Sequence, residues 1–435
     1  RRPPRSTQGV SSAASDVYKR QCYKRTMISY NQAIEIIKNS IKPMPVSNRD
    51  IKSGYGIIAE DLIAESSIPE FANSAMDGFA VNSSETIEAS KKKNIELEVI
   101  GTIFAGESPP EDSSTLSAYE IMTGAVVPNG FDSVIPVEQT KIIERDGKKF
   151  LAINEQVSRG RNVRLSGEDF KADDIILEKG STIEPHVMMS VIANGIKSVK
   201  VYDTPKVSIV TTGSELDNKE GPSIANTNGP YLEACLRRSG IMAHQNFHVK
   251  DEKNKIREIL EQAIDLDSDM IITTGGVSAG KADFVPSVLA EMGADILFHK
   301  VWIRPGKPIL MAVFPSGQTV FGLPGNPVSV AVGLRFFVNQ AFRIMQGQNI
   351  EPRMKAINKA EYTKSKKFCF FAKAQTSVNA QGVLETNILS GQESFKLKPF
   401  KQSNSWAIIP EDLEAIEKNQ EIEVVPLNMG ESINP

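Results

Sequence analysis

Three times this chain runs a short apolar strand into a glycine-rich turn, and that repetition restricts the folds open to it. Val207-Ser208-Ile209-Val210 leads into Thr211-Thr212-Gly213-Ser214-Glu215. Met270-Ile271-Ile272 leads into Thr273-Thr274-Gly275-Gly276, then Val277-Ser278. Thr319-Val320-Phe321 leads into Gly322-Leu323-Pro324-Gly325-Asn326-Pro327. There Asn326 is a good helix N-cap and Pro327 suits the first helical position. After the second turn a helix is expected from near Asp283 to Gly293. Strand, turn and helix make a βα unit, and three of them imply an α/β fold with an open, doubly wound sheet. Ligands of such sheets sit at the carboxyl ends of the strands. Backbone N–H groups in the turns suit an anion. One cleft at one sheet edge is therefore expected.

The rest of the chain divides around that unit. Tyr30 to Ile41 has helical apolar spacing, ended by Pro43 and Pro45. Short strands broken by Gly and Pro (Ile95–Ala105, Val134–Thr140, Lys149–Ile153) predict a β-rich insert over residues 69–157. Residues 27–68 and 158–181 read as an N-terminal helix and linking domain, with a loop at 160–170. The α/β domain is expected over 182–350, with helices at 230–239, 251–264 and from Pro327 to Met345. Strands return beyond residue 351, predicting a small C-terminal β-barrel-like domain.

Composition removes several function classes. Hydrophobic and charged contents of 40% and 24% are ordinary for a water-soluble globular chain. Residues 1–26 are read as a non-native leader, since Asp16 to Gln21 matches one frame of a common sequencing adapter; a transit peptide is the other reading. The leader carries seven basic residues and one acid against a whole-chain charge of −3, so the remainder stands near −9. That balance gives no reason to expect nucleic acid as partner. No apolar run is expected to cross a bilayer. Cys22, Cys235 and Cys369 are scattered and odd in number, which points to a reducing, cytoplasmic setting and away from disulfides or a cysteine metal site.

Four carboxylates stand beside turns: Asp77, Glu215, Asp251 and Asp283. Each has an ordinary explanation. Asp77-Gly78 is a common hairpin pair. Asp251 and Asp283 suit helix N-caps, and Glu215 suits the positive end of a helix. Three of them, however, follow strands of one predicted sheet, and hard oxygen ligands suit Mg²⁺ bridging to substrate phosphates. The complement is Lys300-Val301-Trp302-Ile303-Arg304-Pro305-Gly306-Lys307-Pro308, three cations around a Pro-Gly pair placed at the centre of a type II turn. Beside anion cradles it reads as an oxyanion or phosphate clamp rather than a solvated turn. Two patterns compete. Gly276-Val277-Ser278-Ala279-Gly280 matches a serine nucleophile elbow, but His299 is the only histidine after it. His244 and His248 have a chelating spacing on a helix, but on a strand they stand roughly 13 Å apart.

In their order along the chain, SAMDGFAV, IMTGAVVP, GRNVRLSGED, TTGSEL, TTGGVSAGKADF, IRPGKP and GLPGNPVSV resemble the motifs of molybdopterin molybdenumtransferases, the MoeA family that includes the gephyrin E domain. The resemblance runs from Met27 to the C-terminus. It implies an enzyme that takes adenylylated molybdopterin and molybdate, hydrolyses the adenylate with Mg²⁺, inserts molybdenum into the dithiolene and releases AMP. It also implies a homodimer whose active site lies between the α/β domain and the insert of the other subunit, so that Asp77 acts in trans. The molybdopterin adenylyltransferase is a candidate partner.

Carried over by resemblance, Asp77, Glu215, Asp251, Asp283, Lys300 and Arg304 are catalytic, with Glu215, Asp251 and Asp283 holding the metal. Thr123, Thr212, Gly213, Ser214, Gly275, Gly276, Ser278, Lys307, Pro324, Gly325, Asn326, Lys373 and Ser394 bind substrate or cofactor. Arg304 stands where the family has lysine, Lys373 where it has arginine, Lys281 where an acid is common, Phe284 for tyrosine and Asn226 for aspartate. These departures bear on substrate contacts and leave the reaction class. A catalytically weak, molybdopterin-binding scaffold is the alternative, and molybdate against tungstate is left open.

Overall fold

The computed structural model describes residues 27–53, 56–111, 114–216, 223–278, 280, 283–365, 367–431 and 433. The leader with Cys22, and Lys281, lie outside the described residues. The chain separates into two compact units, one of residues up to Ser47 with Tyr202–Pro435, the other Asn48–Val201. The helix Pro185–Ala193 and most of the strand Ser198–Tyr202 belong to the smaller unit.

The larger unit opens with α1 (Tyr30–Ser40). Ser29 caps it through a reciprocal pair: its Oγ accepts from Gln32 N–H at 3.2 Å, and its own N–H donates to Gln32 Oε1 at 2.9 Å. Then come β1 (Val207–Thr212), α2 (Asn228–Arg238), β2 (Ala243–Val249), α3 (Lys253–Asp265), β3 (Met270–Thr274), α4 (Val285–Glu291), β4 (Asp295–His299), β5 (Leu310–Val313) and β6 (Thr319–Leu323). The sheet order is β2-β1-β3-β6-β5-β4. The first four are parallel, and β5 and β4 each pair antiparallel. Alternation along β1 and β3 divides the apolar side chains between two faces. Val207, Ile209, Met270 and Ile272 face α1, α2 and the helix after β6. Val210 and Ile271 face α3 and α4. The chain leaves β1 towards β2 and returns on the other side to β3, so the crevice between β1 and β3 is the switch point where such sheets bind ligands.

After β6 the chain is helical from Pro327 to Met345, interrupted by a π-helical turn at Leu334–Val338. By length and composition this 19-residue stretch could cross a membrane, which amends the expectation from sequence; it is a core helix, 89% buried. Phe337 and Phe342 are fully buried there, and Phe336 stacks on Phe371 at 3.8 Å. Phe371 belongs to a five-stranded closed barrel of Cys369–Val378, Leu384–Ile388, Met354–Asn358, Glu421–Pro426 and Ser405–Ile409. Barrel and sheet therefore share one core through this helix. Truncating Phe337 to alanine would cost about 3–5 kcal/mol.

In the smaller unit a six-stranded sheet includes Gly78–Val81, flanked by Ser117–Ile121 and Ser133–Pro136. The strand expected to reach Thr140 stops at Pro136 and turns into a 3-10 helix. The unit's Asp-Gly hairpin is Asp146-Gly147, both with positive φ, joining Lys141–Arg145 to Lys148–Ile153. Asp77-Gly78 is not a hairpin turn. Gly78 begins a strand held between two neighbours, and a Cβ there would lie 2.0 Å from the Ile135 carbonyl oxygen.

Candidate active site

In the larger unit the three glycine turns lie side by side. Thr211 pairs with Thr274, and Thr274 with Leu323. Gly275 N–H donates to Leu323 C=O at 3.0 Å, and Gly213 N–H to Val249 C=O at 3.2 Å. Gly275 has φ +86°, and a Cβ on it would lie 2.5 Å from the Thr212 carbonyl oxygen. Only glycine lets these two turns approach so closely. Asn228, in the first turn of α2, donates to Gly325 C=O at 2.8 Å and ties in the third turn. Among the described residues, the buried hydroxyls of Thr212, Thr273 and Thr274 have no partner, nor does Asn228 Oδ1. Unpaired buried polar groups cost about 1–3 kcal/mol each, so this rim suits a polar ligand.

The carboxylates do not serve as caps. The N-cap of α3 is Glu252 and that of α4 is Phe284. Asp251 instead accepts from Ser214 N–H at 2.9 Å, and Ser214 Oγ accepts from Asp251 N–H at 3.1 Å. Asp283 accepts from Gly280 N–H at 2.5 Å, which closes its own turn. Glu215 is exposed on the first turn. Among the described residues no three His, Cys, Asp or Glu side chains are grouped to hold a metal ion, so Glu215, Asp251 and Asp283 form no preformed cage. The donors still fit Mg²⁺ in its usual protein setting, where one or two carboxylates are completed by waters and substrate phosphates. Asn326 occupies the N-cap position, but its side chain makes no capping bond and is exposed beside the cleft.

The second turn is anchored rather than catalytic at its serine. Helix α4 starts only at Val285, so Ser278 is not on a strand-turn-helix elbow. His299 Nε2 donates to Val277 C=O at 2.7 Å instead of approaching that serine. Burial holds the His299 imidazolium below its ordinary pKa; the Val277 carbonyl opposes this, Lys300 adds to it, and Asp283 opposes it. Lys300 follows with φ +74°, an unusual conformation for a side-chain-bearing residue. The hydrogen-bonded turn beyond it runs from Gly306 C=O to Ile309 N–H, so Lys307-Pro308 rather than Pro305-Gly306 is at its centre. Ile303–Arg304 pairs with Cys369–Phe370 of the barrel, and the pairing ends at the cis peptide bond between Arg304 and Pro305.

Lys373 is not placed to meet a substrate. It is fully buried, and its ammonium donates to the carbonyls of Gly391 at 2.7 Å, Glu393 at 3.1 Å and Lys396 at 3.3 Å. Burial lowers its pKa, Glu393 opposes that, and Lys396 adds to it. The loop so held presents the Ser394 carbonyl to Val328 N–H at 3.1 Å, at the start of the core helix. Asn226 bridges Thr211 Oγ1, as donor at 2.9 Å, and Gly229 N–H, as acceptor at 3.2 Å. An ionised aspartate there could accept from Gly229 but not donate to Thr211. His244 and His248 lie on edge strand β2, where no metal group forms among the described residues.

Asp77 and Thr123 belong to the smaller unit. Asp77 is exposed, and its Oδ1 accepts from Thr123 N–H at 2.6 Å and from Thr123 Oγ1 at 2.7 Å. Those two bonds, the hydroxyl first, hold the carboxyl below its ordinary pKa. His299 and Asn228 also build the site, by holding the second and third turns. Neither has a local signal beyond its nearness to a motif.

A mostly parallel sheet with three adjoining glycine-rich turns at the ends of its strands defines a doubly wound α/β protein with its candidate site at that edge. Residues 208–344 match a family model described as a probable molybdopterin binding domain, and residues 28–195 match the MoeA N-terminal region, domains I and II. A molybdopterin molybdenumtransferase of Synechococcus elongatus is 31% identical over 408 residues, covering 92% of this chain and 99% of that protein. One from Staphylococcus aureus is 34% identical, covering 89% and 92%. The crystal structure of a molybdopterin biosynthesis MoeA protein from Pyrococcus horikoshii OT3 superposes with a TM-score of 0.76 at 28% identity, covering 92% and 99%. This chain belongs to the molybdopterin molybdenumtransferase family, and it is a transferase of molybdenum cofactor biosynthesis.

Proposed function

We propose that this transferase takes adenylylated molybdopterin and molybdate, cleaves the adenylate with Mg²⁺ and releases AMP with the molybdenum cofactor. The observation that supports this most is the three adjoining turns at the ends of β1, β3 and β6 with Asp251 and Asp283 hydrogen-bonded into them. Gly213, Ser214 and Gly275 commit their N–H groups to Val249, Asp251 and Leu323 and so fix the turns, while the hydroxyls of Thr212, Thr273 and Thr274, unpartnered among the described residues, are the polar atoms left for the substrate. Asp251 and Asp283, with Glu215 nearby on the first turn, would hold the metal, whose chemistry when bound is to neutralise charge on those phosphates. Lys300, Arg304 and Lys307 attract the oxyanion. In the cleavage, water oxygen bonds to phosphorus as the bridging P–O bond breaks; AMP departs and the pterin keeps its phosphate. The two dithiolene sulfurs then replace oxygens of molybdate, which leave as water. The substrate supplies the sulfur ligands, so a protein thiol is not required.

Asp77, poised by Thr123, completes the site from a second copy of the chain in a homodimer. An enzyme that adenylylates molybdopterin must supply the substrate.

The test is AMP release from adenylylated molybdopterin with Mg²⁺, with and without molybdate, using protein beginning at Met27. Molybdate-dependent release with active cofactor as product is expected. Tight binding without turnover would instead make this a binding scaffold and overturn the proposal.

A further inference from the structure

The chain pairs many of its cations: Lys253 and Arg257 share Glu291, and Arg353 meets Glu423. Three cations near the barrel differ. Among the described residues, Arg304, Lys307 and Lys364 form no ion pair. Arg304 and Lys364 line a cavity of about 400 Å³, within the range of small-molecule sites, and its described lining contains no carboxylate. Burial lowers the Lys364 pKa and Cys369, Asp412, Glu414 and Glu411 oppose that; the three carboxylates form no ion pair with it, although its backbone N–H donates to the Glu414 carbonyl at 2.7 Å.

The other walls are aromatic. Tyr362 and Phe370 stack nearly parallel, 12° apart with centroids at 6.0 Å. The Arg304 guanidinium lies 5.9 Å from the Phe370 ring centre, and the Lys307 ammonium 5.9 Å from that of Phe368. Lys364 Nζ is steadied by the Phe368 carbonyl at 3.0 Å. The cavity is built by backbone pairing, because Ile303–Arg304 adds to Cys369–Phe370 as a parallel strand. A lone tetrahedral oxyanion has no use for three aromatic walls, and an apolar ligand has no use for unpaired cations. The combination suits a planar ring that carries a phosphate.

We propose that this cavity, with Tyr362 and Lys364 as its determinants, binds a phosphate-bearing aromatic heterocycle. The inference rests on the nucleotide-linked pterin substrate proposed above. Either end of that substrate, adenosine monophosphate or pterin phosphate, has the required chemistry.

Calorimetric titration of the full chain with AMP, with a pterin phosphomonoester and with inorganic phosphate tests it, in the parent, Lys364→Met and Tyr362→Leu. Thermal unfolding of each variant checks that it is folded. At least one organic ligand should bind, and each substitution should weaken it by roughly tenfold. Loss of AMP alone assigns the nucleotide end, and loss of the pterin alone the other end; both support the cavity. Affinities unchanged within about twofold in folded variants, or inorganic phosphate bound as tightly as either organic ligand, would overturn it. Molybdenum insertion by the parent is measured separately. Variant-sensitive binding without insertion would sink the proposed reaction and keep the cavity; insertion without variant-sensitive binding would do the reverse.

Discussion

Replacing Lys373 with methionine separates two roles for this residue. By resemblance it is a substrate-binding cation; by geometry it is a strut beneath the loop 391–396. Methionine fills most of the volume and removes three donors. Hydrogen bonds from a charged group contribute about 1.5–3 kcal/mol each. Two of the three are short, at 2.7 and 3.1 Å, and the third is weak at 3.3 Å. Against roughly 3–6 kcal/mol lost stands the relief of no longer burying an ammonium, itself several kcal/mol in a protein interior. The carbonyls of Gly391, Glu393 and Lys396 then stand unpaired at about 1–3 kcal/mol each, which offsets most of that relief, so a net loss of about 2–4 kcal/mol is expected. In a cooperative unit of this size that lowers Tm by about 5–15 °C. Circular dichroism melting measures it, alongside AMP release at limiting and saturating molybdate. The strut role predicts a lower Tm with an unaltered molybdate requirement at a temperature where the variant is folded. A Tm within about 1 °C of the parent, together with a tenfold higher molybdate requirement, would refute the reasoning.

Other perturbations probe the two turns and the exposed acid. Gly275→Ala forces a Cβ to within 2.5 Å of the Thr212 carbonyl oxygen at φ +86°, so substrate affinity should fall at least tenfold, read by titration with adenylylated molybdopterin. Asp283→Ala should abolish molybdenum insertion while Ser278→Ala leaves most of it, since Ser278 has no helix behind it and His299 is committed to Val277; the reverse outcome would revive a serine hydrolase. Thr123→Val removes the hydroxyl that most depresses the Asp77 pKa. A carboxylate with a lowered folded pKa contributes its stabilisation above the unfolded value and loses it as pH falls through the folded one. The acid limb of activity should therefore move to higher pH in the variant, and an unmoved limb would count against Asp77.

The parts of this protein legible in its sequence are those set by near neighbours. Apolar runs ended by threonine and glycine mark β1, β3 and β6 because strand period and turn chemistry are local. Helical spacing and the Ser29–Gln32 pair define α1 for the same reason. Local rules mislead where a distant partner decides. Asp77-Gly78 has the residues of a hairpin turn, yet Gly78 is required by the Ile135 carbonyl of a neighbouring strand, and the Asp-Gly hairpin is at Asp146-Gly147. Asp251 and Asp283 have cap-like positions, yet each takes a turn N–H instead. Lys373 reads as a ligand until the barrel surrounds its ammonium with three carbonyls. Arg304 gains its aromatic surroundings only because its strand joins Cys369–Phe370. Sequence determined which segments become strands, turns and helices. Tertiary structure decided which charges are consumed inside the fold and which are left to meet a ligand, because hydrogen-bond partners and desolvation depend on residues far apart in the chain.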